Sequence, residues 1–369
     1  MRHRTRALLM LAAVTTIGCA DRDPIAPLMT ADISAASSQG AAWLSFMSRN
    51  LYIGTDINPV VAALASPGQA DDVPALIAAI AAIQATNWSA RVIALADEIA
   101  RERPQVVGLQ EVWSININLT PLGLALVVNQ DFLANLQAEL ASRGLNYTVA
   151  GIVSAVTANP FPGINVFDRD VILIDPTRVT VNPGSVVAQT FAANIGTIAP
   201  GVIVRRGWVA FTGTVDGVPM TIANTHLESE KSPALSALRS YQAGQLVASL
   251  GSASPVVMLG DFNDEAGSPM HNVVTGAGFV DSWSEMRPGV AGLTCCHAKD
   301  LTNALASDAF DQRIDYAFVR GFTHSNGRLL GQVKLLGASP SDRLFGPTSV
   351  IWPSDHAGLS VNLLLPGQN

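Results

Sequence analysis

The chain has 369 residues, 49% of them hydrophobic and 14% charged, with a mean hydropathy of +0.31 and a formal net charge of −7. That apolar content suffices for one large core or two ordinary ones and excludes a mostly disordered protein. Heptads and internal repeats are lacking, and after residue 20 no run reaches the roughly 18–20 apolar residues of a membrane helix.

Residues 1–19 read as a signal peptide rather than part of the fold. Arg2, His3, Arg4 and Arg6 form a basic start, Ala7 to Ile17 a short apolar run, and Gly18-Cys19-Ala20 a small-residue cleavage zone. Ile17-Gly18-Cys19 resembles the end of a bacterial lipoprotein signal, with Cys19 as the lipidated residue and a membrane tether as the consequence. Thr16 stands where that family usually carries Leu, and plain cleavage after Ala20 is the alternative. Either reading implies export, to a membrane-anchored surface or periplasmic position or to the medium. Removing Arg2, Arg4 and Arg6 leaves 19 basic against 29 acidic residues, a mature net charge of −10. Such a surface disfavours long-range attraction to polyanions.

Residues 20–41, rich in Pro, Ser and Gly, read as a flexible tether, and 42–366 as one catalytic domain. Trp43 to Asn50 reads as a first strand. Residues 56–88 are Ala-rich and broken by Pro59, Pro67, Gly68 and Pro74, suggesting a helical excursion or lid. From Ser89 the positions Val92, Leu95, Ala96 and Ile99 follow helical spacing up to Pro104, and Val106 to Leu109 form a buried strand ending at Glu111. Asp131–Arg143 is helical, Tyr147–Val153 and Asp170–Ile174 are strands, and Trp208–Val215 pairs with Val218–Thr225 through an Asp216-Gly217 turn. Pro233–Leu250 is a helix, and Val256–Leu259, Ile314–Val319 and Leu359–Leu363 are further strands. This alternation predicts an α/β layered sandwich.

Polar residues recur at the ends of these strands: Asn50, Gln110-Glu111, Asn224-Thr225-His226, Asp261-Phe262-Asn263, Asp315 within Arg313-Ile314-Asp315-Tyr316, and Ser354-Asp355-His356. Metal-dependent phosphoester chemistry needs acidic oxygens for a hard cation, a group that activates water and donors for phosphoryl oxygens, all rigidly held. In this order the blocks resemble the endonuclease/exonuclease/phosphatase superfamily, which includes deoxyribonucleases, bacterial sphingomyelinases and inositol-polyphosphate phosphatases. The resemblance implies a four-layer α/β/β/α sandwich of two mixed β-sheets flanked by helices. It also implies Glu111 as the main carboxylate ligand of a Mg²⁺-like ion (Mn²⁺ or Ca²⁺ being alternatives), with Asn50 and Asp355 beside it. Asp261 would orient and deprotonate the attacking water, and Asn263 would hold it or a phosphoryl oxygen. His356, polarised by Asp315, and His226 would donate to the phosphoryl group. His271, His297 and His324 match no motif of the family and are read as surface or turn histidines.

The reaction expected is in-line attack by water on a phosphodiester or phosphomonoester, whether a small molecule, a lipid headgroup or nucleic acid, by a monomeric enzyme. Only three lysines, Lys231, Lys299 and Lys334, tilt the reading away from a secreted nuclease, which remains the alternative ahead of an inactive binding module. Two features stand outside the pattern. About 60 residues separate Asn50 from Glu111, longer than compact nucleases of this family use. Cys295-Cys296 sits where substrate-facing loops are expected, either oxidised or as two buried thiols. Arg169 is read as a phosphate contact or a surface charge.

Overall fold

A computed structural model describes residues 43–365 apart from 230, 325, 347 and 348, so the signal and tether expectations lie outside the described residues. The chain enters through β1 (Trp43–Asn50), followed by helices α1 (Asn58–Ala65), α2 (Asp72–Ala85) and α3 (Trp88–Glu102). Strands β2 (Val106–Gln110), β3 (Ser114–Asn118) and β4 (Val127–Asp131) lead to α4 (Phe132–Ser142). Next come the long strands β5 (Thr148–Ala158) and β6 (Ile164–Ile174), then the short β7 (Val179–Val181), β8 (Val187–Thr190), β9 (Gly196–Ala199) and β10 (Val202–Val204). The hairpin β11 (Gly207–Val215) and β12 (Val218–His226) precedes α5 (Pro233–Leu250) and β13 (Val256–Asp261). Helix α6 (Pro269–Gly276), β14 (Val280–Asp281) and α7 (Ser282–Met286) follow. The chain closes with β15 (Asp315–Arg320), β16 (Gly331–Leu336), β17 (Leu344–Phe345), β18 (Val350–Ile351) and β19 (Gly358–Leu364).

One sheet runs β16-β19-β1-β2-β6-β5-β10-β9 with β3 and β4 branching from β6, and the other runs β14-β15-β13-β12-β11-β7 with β8 on β11. Both are mixed: β1 pairs in parallel with β2, and β12 with β13, through helical crossovers. Alternation along each strand builds three apolar seams. Met47, Val107 and Leu109 pack outward against Leu95, Ile80 and Phe132 of the helices. Phe46 and Val106 of the first sheet meet Phe211, Ile222 and Leu259 of the second, and Val256 and Met258 face Leu246 and Met270 of α5 and α6. These seams make four layers, α/β/β/α.

Local chemistry explains the elements that the sequence places well. Ser232 caps α5 by accepting from the Leu235 amide, Pro233 occupies its first turn, and Asp216 and Gly217 take φ of 47° and 80°, as a two-residue hairpin turn requires. A polar pin joins the sheets: the Asn224 amide donates to Leu109 O (2.9 Å) and Val171 O (3.1 Å) and accepts from Gln110 Nε2 (2.6 Å). Gly108 permits that approach, since a Cβ there would lie 2.6 Å from Asn224 Oδ1. The β3–β4 hairpin and the short strands β7 to β10 escape the sequence reading, because their alternation is brief and several of their residues are exposed.

A buried ion-pair cluster anchors α7. Asp281 accepts from the Trp283 and Ser284 amides, from both Arg313 terminal nitrogens (3.1 and 2.7 Å) and from Ser284 Oγ, and pairs with His271. Burial opposes its charge, yet His271, Arg313 and Ser284 hold its carboxyl well below the usual range. A folded pKa below the unfolded value of 3.8 adds stability that is complete above that value and lost as pH falls through the folded pKa. Asp281→Asn is therefore expected to cost about 2–3 kcal/mol in urea unfolding at pH 7, with the gap to wild type shrinking at pH 3. An equal gap at both pH values would contradict this.

Candidate active site

The catalytic candidates converge at the C-terminal ends of the parallel strands, where open α/β sheets present their sites. His226, Asp261 and Asp315 stand abreast on β12, β13 and β15, in direct register. Asn50 ends β1 opposite Gln110, with Glu111 just beyond β2. His356 precedes β19. The loop carrying Thr294 and Cys295 steadies this corner: Thr294 Oγ1 accepts from the Ile314 and Asp315 amides, and Thr294 O accepts from the Ala357 amide.

Asp261 is the hub. Its Oδ2 accepts from Asn50 Nδ2 (3.2 Å) and lies 3.5 Å from His226 Nε2 and 3.8 Å from His356 Nδ1, while Oδ1 accepts from the Asn263 amide (3.0 Å). Asn50 Nδ2 also reaches Glu111 Oε1 at 3.2 Å, and His356 Nδ1 pairs with Asp315 Oδ2 at 2.9 Å. Glu111 Oε2 accepts from the Ile53 amide and the Trp113 indole. Asp355 lines the same cleft of about 380 Å³, though neither Asn50 nor Glu111 bonds to it. Asn263 also lines the cleft but spends its side-chain amide on Leu227 O at 3.0 Å. Six of the eight predicted residues line this cleft, and the other two stand behind it, Asn50 bonded to Glu111 and Asp261, and Asp315 bonded to His356.

Four further charged groups complete the site without having been singled out in the sequence. Asp168 and Asp170, two apart on β6, point to one side of the strand and lie beneath His226, with Asp170 Oδ1 3.9 Å from its Nδ1. Arg206 Nη1 meets His226 Nδ1 at 3.0 Å and sits between Asp168 (3.9 Å) and Glu228 (3.8 Å). The period-two spacing of Asp168 and Asp170 in an apolar strand was a usable signal, whereas nothing local marks Arg206. Arg169, between the two aspartates, points the other way, to Val112 O and Asp131, and does not line the cleft.

Burial and mutual repulsion set the electrostatics. Desolvation, reinforced by Asp315, pushes Asp261 up to about 7; desolvation raises Asp355 to about 6 and, with Glu111, Asp168 to about 8. Asp170 also rises, through burial and the charge of Asp168. Desolvation, Arg206 and His356 hold His226 well below the usual range and so neutral. Burial likewise opposes charge on His356, but Asp315, Asp355 and Asp261 together keep its imidazolium well above the usual range. A cleft of crowded carboxylates, with Asp168 Oδ2 buried and accepting no hydrogen bond, fits a hard divalent cation bound by oxygen.

One reading left open by the sequence is decided here and one is revised. Cys295 and Cys296 are joined to each other as a disulfide, with Cys296 Sγ 3.9 Å from His356 Nε2. His297 is not a surface histidine: it is buried, stacked on Trp352 at 4.0 Å and bonded to Gly337 O and Asn303, so ring packing and two hydrogen bonds hold it inside.

Comparisons with known proteins bear on the fold and the family. No curated protein matches the chain by sequence. An endonuclease/exonuclease/phosphatase family protein from Bacteroides thetaiotaomicron is similar at 15% identity and a TM-score of 0.53, over 89% of this chain and 96% of that one. The corresponding protein from Bacteroides vulgatus is similar at 15% identity and a TM-score of 0.52, over 88% and 99%. D. rerio TDP2 complexed with single strand DNA product is similar at 16% identity and a TM-score of 0.50, over 87% and 99%. At these identities the likeness concerns the fold. The sequence model of the Endonuclease/Exonuclease/phosphatase family matches residues 80–356, a span running from α2 to the last catalytic candidate, and the chain belongs to that family of phosphoester hydrolases.

Proposed function

We propose that the chain is an exported, Mg²⁺-dependent phosphoesterase that hydrolyses its substrate by direct in-line attack of water. The observation that carries this reading is the convergence on Asp261 of Asn50, His226 and His356, within one row of strand ends. Asp261 accepts the proton of the attacking water, in reach of the Asn263 amide that orients its carboxylate. His356, held charged by Asp315, donates to a non-bridging phosphoryl oxygen, and Arg206 beside neutral His226 supplies positive charge as the oxygens gain negative charge. Glu111, Asn50 and Asp355 would hold the cation, which supplies Lewis-acid polarisation of the phosphoryl group. The basic, apolar segment before Ala20 supports export, with Cys19 as the tether if lipidated.

Charge in the cleft favours a compact phosphoester over a nucleic-acid strand. Asp56, Glu111, Asp168, Glu228, Asp261 and Asp355 line it, against two permanent cations among the described lining residues, Arg206 and Lys299. Lys299 is itself paired with Asp56 across the mouth. A polyanion needs a track of unpaired bases.

The test is hydrolysis of bis(p-nitrophenyl) phosphate by the mature chain with Mg²⁺, with chelator and with duplex DNA as competitor. Chelation is expected to abolish turnover, and Glu111→Gln to raise the Mg²⁺ concentration for half-maximal rate at least about tenfold. Full activity in chelator would overturn the metal requirement. DNA cleavage at a comparable rate would establish the nuclease instead.

A further inference from the structure

A second cavity, about 100 Å³, adjoins the catalytic cleft, and no polar atom is exposed on its wall. Its roof is the Ala-rich excursion, through Val60 and Leu64 of α1 and Leu76, Ala79 and Ile83 of α2. Its floor is the outer face of the first sheet, through β3, β5 and β6. Ile53, Thr55, Ile57, Val61, Trp113 and Val156 belong to the walls of both spaces, so the two adjoin across these side chains. Trp113 joins them directly: its indole nitrogen donates to Glu111 Oε2 at 3.2 Å, while its ring lines the apolar side.

Close-packed interiors seldom leave such space, and an apolar cavity of about 150 Å³ stays dry and takes up benzene. Here the void opens beside a phosphoester site, under residues that lie outside the catalytic strands. We propose that this cavity receives the hydrocarbon tail of the substrate, so that the phosphoester turned over at Asp261 belongs to an amphiphile bearing an alkyl or acyl chain. This rests on the phosphoesterase reading above and names its substrate class. The acidic floor repels extra negative charge, the apolar annex repels water, and a molecule with one phosphoester and one apolar tail satisfies both. Ala79 supplies the room, since a larger side chain there would fill the space.

The experiment is a chain-length series of p-nitrophenyl phosphodiesters with methyl, butyl, hexyl and octyl as the second ester group. KM is expected to fall roughly fourfold per methylene over the first few carbons and then level off as the cavity fills. Ala79→Phe is expected to flatten the series, bringing the octyl ester to the KM of the methyl ester, with kcat little changed across it. Leu76→Ala, which enlarges the same cavity, is expected to move the plateau to longer chains and guards against a filling variant that fails to fold. Protection against thermal unfolding by octyl phosphate over inorganic phosphate gives a readout independent of turnover. A flat KM series with methyl-ester hydrolysis intact would overturn the tail site and leave the phosphoesterase reading standing. Hydrolysis of none of the esters, with octyl phosphate still stabilising wild type but not Ala79→Phe, would do the reverse.

Discussion

Asp261→Asn is expected to lower kcat about 10³-fold while raising the thermal midpoint of the metal-free chain. The first effect follows from geometry: one carboxylate oxygen lies within reach of Asn50, His226 and His356, and the amide of the variant accepts protons too weakly to serve as a base. The second follows from electrostatics. Burial and Asp315 push the Asp261 pKa up to about 7, so its charged form opposes folding. A folded pKa above the unfolded one means that the cost appears as pH rises past the unfolded value and is complete above the folded one. The variant, uncharged at all pH values, should gain most over wild type at pH 8 and least at pH 4. Steady-state rates and thermal melts in chelator measure both. A variant with less than a tenfold loss would remove Asp261 as the base, and one that melts earlier at pH 8 would show that its contacts outweigh the repulsion.

Arg91→Leu is expected to cost about 4 kcal/mol of stability, among the largest single effects in the molecule. The guanidinium is fully buried and donates to four backbone carbonyls: Thr86 (3.0 Å), Leu51 (2.8 Å), Tyr52 (3.0 Å) and Pro353 (3.2 Å). Burial lowers its pKa to about 10, yet it stays charged at neutral pH. A leucine fills part of the volume and leaves those carbonyls in apolar surroundings without donors. The four acceptors come from the turn after Asn50, the end of α2 and the segment leading into Ser354-Asp355-His356, so activity should fall together with stability. Lysine, a single point donor, is expected to recover less than half of the loss. Urea unfolding decides the matter, and a cost under about 1 kcal/mol would mean that water or a rearranged backbone replaces the guanidinium.

Much of the fold follows from local pattern. The helix Pro233–Leu250 carries its own cap, the turn Asp216-Gly217 its own backbone preference, and β1 its own apolar pairs, Trp43-Leu44 and Phe46-Met47, as a strand covered on both faces does. The catalytic candidates were equally legible, because each stands at the end of a buried strand where a polar residue is out of place without a partner. The helix α3 was readable by its periodicity through Val92, Leu95 and Ile99, but its most consequential residue, Arg91, reads in sequence as an ordinary solvent-facing charge. Arg206 and Glu228 were silent for the same reason.

What the sequence by itself determined is the strands β1, β2, β5, β6, β11 to β13, β15 and β19, the helices α3 to α5, and the acidic and imidazole groups at the strand ends. Hydrogen bonds and side-chain alternation within a few residues specify these. Only the tertiary structure decided that Asp168, Asp170 and Arg206 lie under His226, that Arg91 ties three distant segments together, and that the Ala-rich excursion roofs an apolar annex to the cleft. Each of these depends on segments far apart in the chain meeting across a sheet, where burial and partner charges act only once the layers have closed.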